Sequence, residues 1–215
     1  MTINKGLLGI LKLPEELFQE GDFVIFKSGV TEERFWEIAN EDTNYELIDG
    51  VLVIHSPASK EHEEIFGYLF SILNYYVSEQ AAGVVLGSRF VMRLSSKWNP
   101  EPDMMVVLKD RQQALHETFL DGPANLVVEI LSPSTRDMDH DKKVPQYLAS
   151  GVQEVWLVDP LKKSIFIRNS QEEREYNSPD SDEILESRVL PDLKIHCDWI
   201  WNRENNPIHE ILKLI

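Results

Sequence analysis

Two hydrophobic periodicities alternate along the chain. Over 59–80 the apolar residues Ile65, Leu69, Ile72, Leu73, Tyr76 and Val77 recur at spacings of three and four, which predicts a long amphipathic helix. Residues 31–40 predict a shorter one, with Thr31 as N-cap and Phe35, Trp36, Ile38 and Ala39 as its apolar face. Between them, 45–54 is a hairpin signal centred on Asp49-Gly50, a pair suited to a two-residue primed turn. Gly83 is expected to end the long helix. Strands follow at about 84–86, 89–94, 103–108 and 125–131. A helix is predicted over 141–150, beginning near Asp141 so that Pro145 falls in its first turn, and stopping at Gly151. Residues 154–158 read as a buried strand closed by Asp159-Pro160, with 164–167 as its hairpin partner. Residues 170–215 read as a polar loop with weak strands and a final amphipathic helix over 208–215. Strands separated by helices in this order predict an α/β fold, a mixed sheet flanked by helices.

One strand in this pattern carries the wrong residue. The run 125–131 reads Asn-Leu-Val-Val-Glu-Ile-Leu, the composition of a strand covered on both faces, yet it holds Glu129. A charge there costs several kcal/mol, to order of magnitude, unless a partner or a metal compensates it. Upstream, Pro102-Asp103 opens a second apolar strand with another carboxylate at its mouth. Two strands that each present an acid suggest a site for a hard cation, since Mg²⁺ binds through one or two carboxylates plus water and substrate phosphate. Glu46 on the first hairpin strand, His62 at the start of the long helix, and Lys143 with Tyr147 four residues apart on one helix face carry little meaning singly.

The order of these residues resembles the PD-(D/E)XK nuclease superfamily, and within it the putative restriction endonuclease family of the Uma-two type. The resemblance covers about 31–168. It rests on Tyr45-Glu-Leu-Ile-Asp-Gly50, Ser56-Pro57 followed by His62, Pro102-Asp103, and Val128-Glu-Ile-Leu-Ser-Pro-Ser-Thr135. It continues through Lys143-Val-Pro-Gln-Tyr147, Gly151-Val152 and Val155-Trp-Leu-Val-Asp-Pro160. It implies a restriction-endonuclease-like mixed sheet flanked by helices with a mostly β hairpin extension, a single domain over 1–215 whose core is 31–168 and whose C-terminal extension is acidic. It also implies a metal-dependent endonuclease acting on DNA, using Mg²⁺ or Mn²⁺, and commonly a homodimer. By position, Asp103 and Glu129 match the metal-binding acids, and Glu46 matches an additional acid that completes the metal's shell directly or through water. The lysine usual two residues beyond the second acid is replaced by Leu131, and Lys143 stands where this family has its lysine. His62 and Tyr147 match supporting positions, as a phosphate contact or a partner of the lysine. The rival reading is a non-catalytic interaction module of the same fold.

Composition modifies this picture in two ways. The net charge of −16 opposes nonspecific binding to nucleic acid, which Lys and Arg normally drive. The charge is uneven, however: Arg89, Arg93, Lys97, Lys109 and Arg111 flank Asp103, and Arg136, Lys142 and Lys143 follow Glu129, so a basic groove on an acidic body is the expectation. The single cysteine, Cys197, rules out an intrachain disulfide. With no leader-like N-terminus and no run near ~18 apolar residues, a soluble cytoplasmic protein without membrane association is expected.

Overall fold

The computed structural model describes residues 25–40, 43–55, 57–87, 89–177 and 183–215; the reading of the N-terminus falls outside them. The centre is a six-stranded mixed sheet in the order β12 (Glu173–Asn177), β11 (Ser164–Arg168), β10 (Glu154–Asp159), β9 (Leu126–Ile130), β7 (Met104–Leu108), β4 (Gly83–Gly87). Its one parallel pair is β9 with β10, joined by the helical crossover such a pair requires. Its two faces are filled by different sets of the alternating side chains. Met104, Val106, Leu126, Val128, Trp156 and Val158 face α2 (Lys60–Glu79), a helix capped by the Ser59 hydroxyl at the His62 N–H. Met105, Val107, Val127, Leu131, Val155 and Leu157 form the opposite core with Val144 and Tyr147.

A second sheet runs β1 (Ile25–Ser28), β3 (Val51–Ile54), β2 (Tyr45–Ile48), β6 (Trp98–Asn99). The β2–β3 turn is the primed turn expected, with Asp49 and Gly50 both at positive φ, 53° and 72°. Its apolar face, Leu47 and Leu52, packs on Phe35 of α1 (Glu32–Ile38). The parallel pair β5 (Val91–Arg93) and β8 (Phe119–Asp121) contributes Val91 to that cluster.

Two expectations about the helices are corrected. Gly83 does not end α2: the helix stops at Glu79, with Gln80 as cap and Ala81 left-handed (φ 43°). Gly83 instead opens β4, where an added Cβ would stand 2.3 Å from the Val107 carbonyl oxygen. The crossover helix begins earlier than Asp141. A single turn α3 (Arg136–Met138) leads into a wide π-type turn over Asp139–Lys143 and then into α4 (Val144–Ser150), in whose first turn Pro145 lies. The wide turn restarts the helix, and that gives the proline a first turn to occupy. Gly151 closes α4 in the left-handed conformation, φ 101°.

The segment after 170 is more than a polar loop. It adds β12 to the sheet, then the pair β13 (Ile184–Glu186) and β14 (Lys194–His196). Two short helices follow, α5 (Cys197–Trp201) and α6 (Ile208–Ile211), the latter ending four residues short of the expected helix. Leu185, Leu190, Leu193, Ile195, Ile200 and Ile211 join the α2-side core. The buried Glu154 carboxylate fastens this segment by accepting from Ser187 Oγ at 2.6 Å and the Arg188 N–H at 2.8 Å. Among the described residues no helix is long and apolar enough to cross a membrane.

Candidate active site

The β7–β9 register pairs Met104 with Val128, so its continuation sets Asp103 opposite Glu129. Strand alternation turns both toward the α4-side face, where Val127 and Leu131 also lie. The two acids are linked through the backbone. Asp103 Oδ2 accepts from the Ile130 N–H at 2.7 Å, and the Asp103 N–H points at Glu129 Oε2 at 3.4 Å. His62, on the first turn of α2, brings Nε2 to 3.3 Å from Asp103 Oδ1, and although burial opposes its charge, the Asp103 carboxylate raises its pKa.

Lys143 comes from the wide turn and is buried (3% exposed). Its ammonium stands 2.8 Å from Glu46 Oε1, 3.2 Å from Asp139 Oδ1 and 3.3 Å from Glu129 Oε1. Tyr147, one turn on, donates to Glu129 Oε1 at 2.6 Å. Lys142 points to solvent, as the 100° step between neighbours on a helix requires. Leu131 is packed in the core. The structure thus brings all six predicted residues, Glu46, His62, Asp103, Glu129, Lys143 and Tyr147, to one region, and the Tyr147 side chain reaches it through Glu129.

Three further groups belong to the same cluster. Asp139, buried behind Lys143, was missed. The signal for it was its spacing: 139, 143 and 147 are four apart on one helical face. His55, just past β3, binds Glu46 Oε2 through Nε2 at 2.7 Å; a lone histidine after a strand gives no such indication in sequence. Glu101, visible only as an extra charge beside Asp103, donates its N–H to Glu46 Oε1 at 2.8 Å.

The electrostatics divide these acids. Burial would raise the Glu46 carboxyl, but Lys143 and His55 outweigh it and hold it down at about 2. Burial, together with neighbouring acids, pushes Glu129 well above the ordinary carboxylate range despite Lys143, and Asp139 upward as well. Glu101 is pushed up to about 8 by burial and the Glu46 charge. Lys143 keeps its charge, since the carboxylates around it overcome its own burial. The cluster therefore holds more acid than its one lysine can neutralise.

The cleft above it, about 430 Å³, is lined by Asp103, Glu129, His62, Arg89, Ser132 and Leu161 among others. Its oxygen donors, Asp103 and Glu129, suit a hard divalent cation, and the surplus acid protons are those such a cation displaces. Among the described residues no three His, Cys, Asp or Glu side chains are arranged to hold a metal, so any ion would complete its shell with water and substrate oxygens. The expected basic groove is largely committed elsewhere. Arg93 pairs with Glu32 and Asp121, Arg111 donates to the carbonyls of Pro123, Ala124 and Gly151, and Arg136 forks onto Asp159.

No curated protein matches this chain. Of five solved chains that match, one is the crystal structure of a putative nuclease belonging to DUF820 from Anabaena variabilis. It is 19% identical, with a TM-score of 0.72 over 80% of this chain and 98% of that one, a likeness of fold. The model of the Uma2 family, described as putative restriction endonucleases, matches residues 32–198, and the chain belongs to that family.

Proposed function

We propose that this protein is a Mg²⁺- or Mn²⁺-dependent endonuclease that hydrolyses phosphodiester bonds in DNA. The observation that carries the reading is the convergence of Asp103, Glu129 and the Lys143 ammonium at one cleft, from β7, β9 and the crossover between β9 and β10. Asp103 and Glu129 would hold the cation. Glu46, whose two oxygens are taken by Lys143, the Glu101 N–H and His55, is assigned to fixing the lysine. The chemistry supplied by a bound divalent ion is a water of lowered pKa and neutralised charge on the scissile phosphate. Lys143 orients that water or stabilises the developing charge from the protein side. Tyr147 holds Glu129 in place, and His62, whose charged form the Asp103 carboxylate favours, is set to meet a phosphate oxygen. A homodimer accompanies this proposal from the family resemblance.

The test is incubation of the purified protein with Mg²⁺ or Mn²⁺ and a panel of supercoiled plasmid, linear duplex, single-stranded DNA and RNA. Nicking of the plasmid is expected. Asp103→Asn and Lys143→Ala should each lower the rate by about 10²-fold or more, whereas Lys142→Ala should leave it unchanged. Lys143→Ala should still bind Mn²⁺ in a calorimetric titration. A folded wild-type protein that cleaves nothing on the panel would make it the non-catalytic module. That alternative has one observation in its favour, the enclosure of the lysine ammonium by three carboxylates.

A further inference from the structure

We propose that Asp139 is a positioning residue: with Glu46 it clamps the Lys143 ammonium from two sides, which leaves Glu129 as the one partner that can turn toward the cleft. The proposal rests on the nuclease reading above. The Lys143 ammonium lies within 3.3 Å of three carboxylates on three elements, β2, β9 and the wide turn. Glu129 is the partner with competing duties, since it also receives Tyr147 and faces Asp103. If Glu129 turned away with Asp139 absent, Lys143 would keep a single anchor at the end of a four-carbon stem, and its rotamers would no longer be fixed.

Asp139 is also expensive to keep. It is 3% exposed, and its Oδ1, though 3.2 Å from the ammonium, has no hydrogen-bond partner of good geometry. A desolvated carboxylate of this kind contributes little to packing and is destabilising unless paired. Its one ion-pair partner among the described residues is Lys143, so the lysine is what the residue serves. The wide turn supports the same assignment. It carries Asp139 and Lys143 inward together while Asp141 and Lys142, between them, face solvent.

The experiment compares Asp139→Asn, Lys143→Ala and the double variant in plasmid cleavage with Mn²⁺. Calorimetric Mn²⁺ titration and acetic-anhydride labelling of lysines, read by mass spectrometry, accompany it. Asp139→Asn should lower kcat about tenfold to a hundredfold with KM unchanged, and the double variant should be no slower than Lys143→Ala alone, because the aspartate acts through the lysine. Mn²⁺ affinity should stay within about twofold. Lys143 should become labelled in Asp139→Asn while exposed Lys142 stays constant. Multiplying losses in the double variant, lost Mn²⁺ binding or unchanged kcat would each overturn the assignment. If the wild type cleaves nothing, the nuclease reading fails by itself, and the labelling decides whether Asp139 holds the ammonium: unchanged labelling means that it does not. Should Asp139→Asn fail to fold, Thr135→Val, which removes the hydroxyl supporting Asp139, gives a milder version of the same series.

Discussion

A fully buried carboxylate stabilises a fold only when its charge is answered, and Asp159 is the clearest case outside the cleft. It ends β10, and its oxygens receive the Arg136 guanidinium together with the N–H groups of Leu161 and Lys162. Burial alone would raise its pKa, but Arg136 and those two N–H groups outweigh burial and hold it below the ordinary value. A carboxylate depressed in the folded state contributes stability that is present above its unfolded pKa and lost as pH falls through the folded one. Asp159→Asn should therefore cost about 1–3 kcal/mol near neutrality. The gap in melting temperature from wild type should close below about pH 4, as both states of the native chain protonate. A gap that stayed constant down to pH 2 would show that the pair contributes shape and no charge. At this scale Glu129 and Asp103 stood out because each breaks its surroundings, an acid in an apolar strand and an acid at a strand mouth, whereas Lys143, weak by itself, was marked by the family resemblance. Asp139 was not. A proline at 145 places a helix start near 141, and nothing in the residue types announces a π-type turn before it.

At the scale of elements, two glycines separate close approach from mere tolerance. At Gly83 a Cβ would meet the Val107 carbonyl at 2.3 Å and Leu108 Cα at 2.7 Å, both backbone atoms of the paired strand β7. Gly67 lies inside α2 with nothing within 4 Å of a Cβ. Gly83→Ala should destabilise the protein by about 1–3 kcal/mol, and Gly67→Ala should stabilise it by about 0.5–1 kcal/mol. Urea unfolding midpoints of the two variants would test this, and the same sign for both would refute the distinction. Long periodic elements such as α2, and the buried strands β9 and β10, follow from hydrophobic spacing alone. The segment after 170 does not, because its core residues come as pairs and singles, Leu185, Val189-Leu190, Leu193 and Ile195, set among Glu172, Glu173, Glu175, Glu183 and Glu186. Such short runs acquire meaning only against a surface that already exists.

At the scale of the whole molecule, the charge balance sets how nucleic acid can be held. Arg93, Arg111, Arg136 and Lys143 are engaged inside the protein, and Lys162 and Lys163, on the turn beside the cleft, make no ion pair among the described residues. Few phosphates can therefore be neutralised at once. Fluorescence anisotropy of a labelled duplex with Asp103→Asn protein should give a plot of log affinity against log salt with a slope no steeper than about −3, since each neutralised phosphate contributes about −0.9. A slope near −6 would mean that a basic surface exists elsewhere on the molecule. The placement of Glu46 has a different consequence. It comes from the small sheet, whereas Glu129, Asp139 and Lys143 come from the large sheet and its crossover. The Lys143–Glu46 ion pair therefore exists only when both sheets are seated on each other. Separation of the sheets would break that pair while the hydrogen-bond ladder within each sheet stayed intact. A molecule whose cores on the two faces of the large sheet are still closed would then already have lost one anchor of its buried lysine.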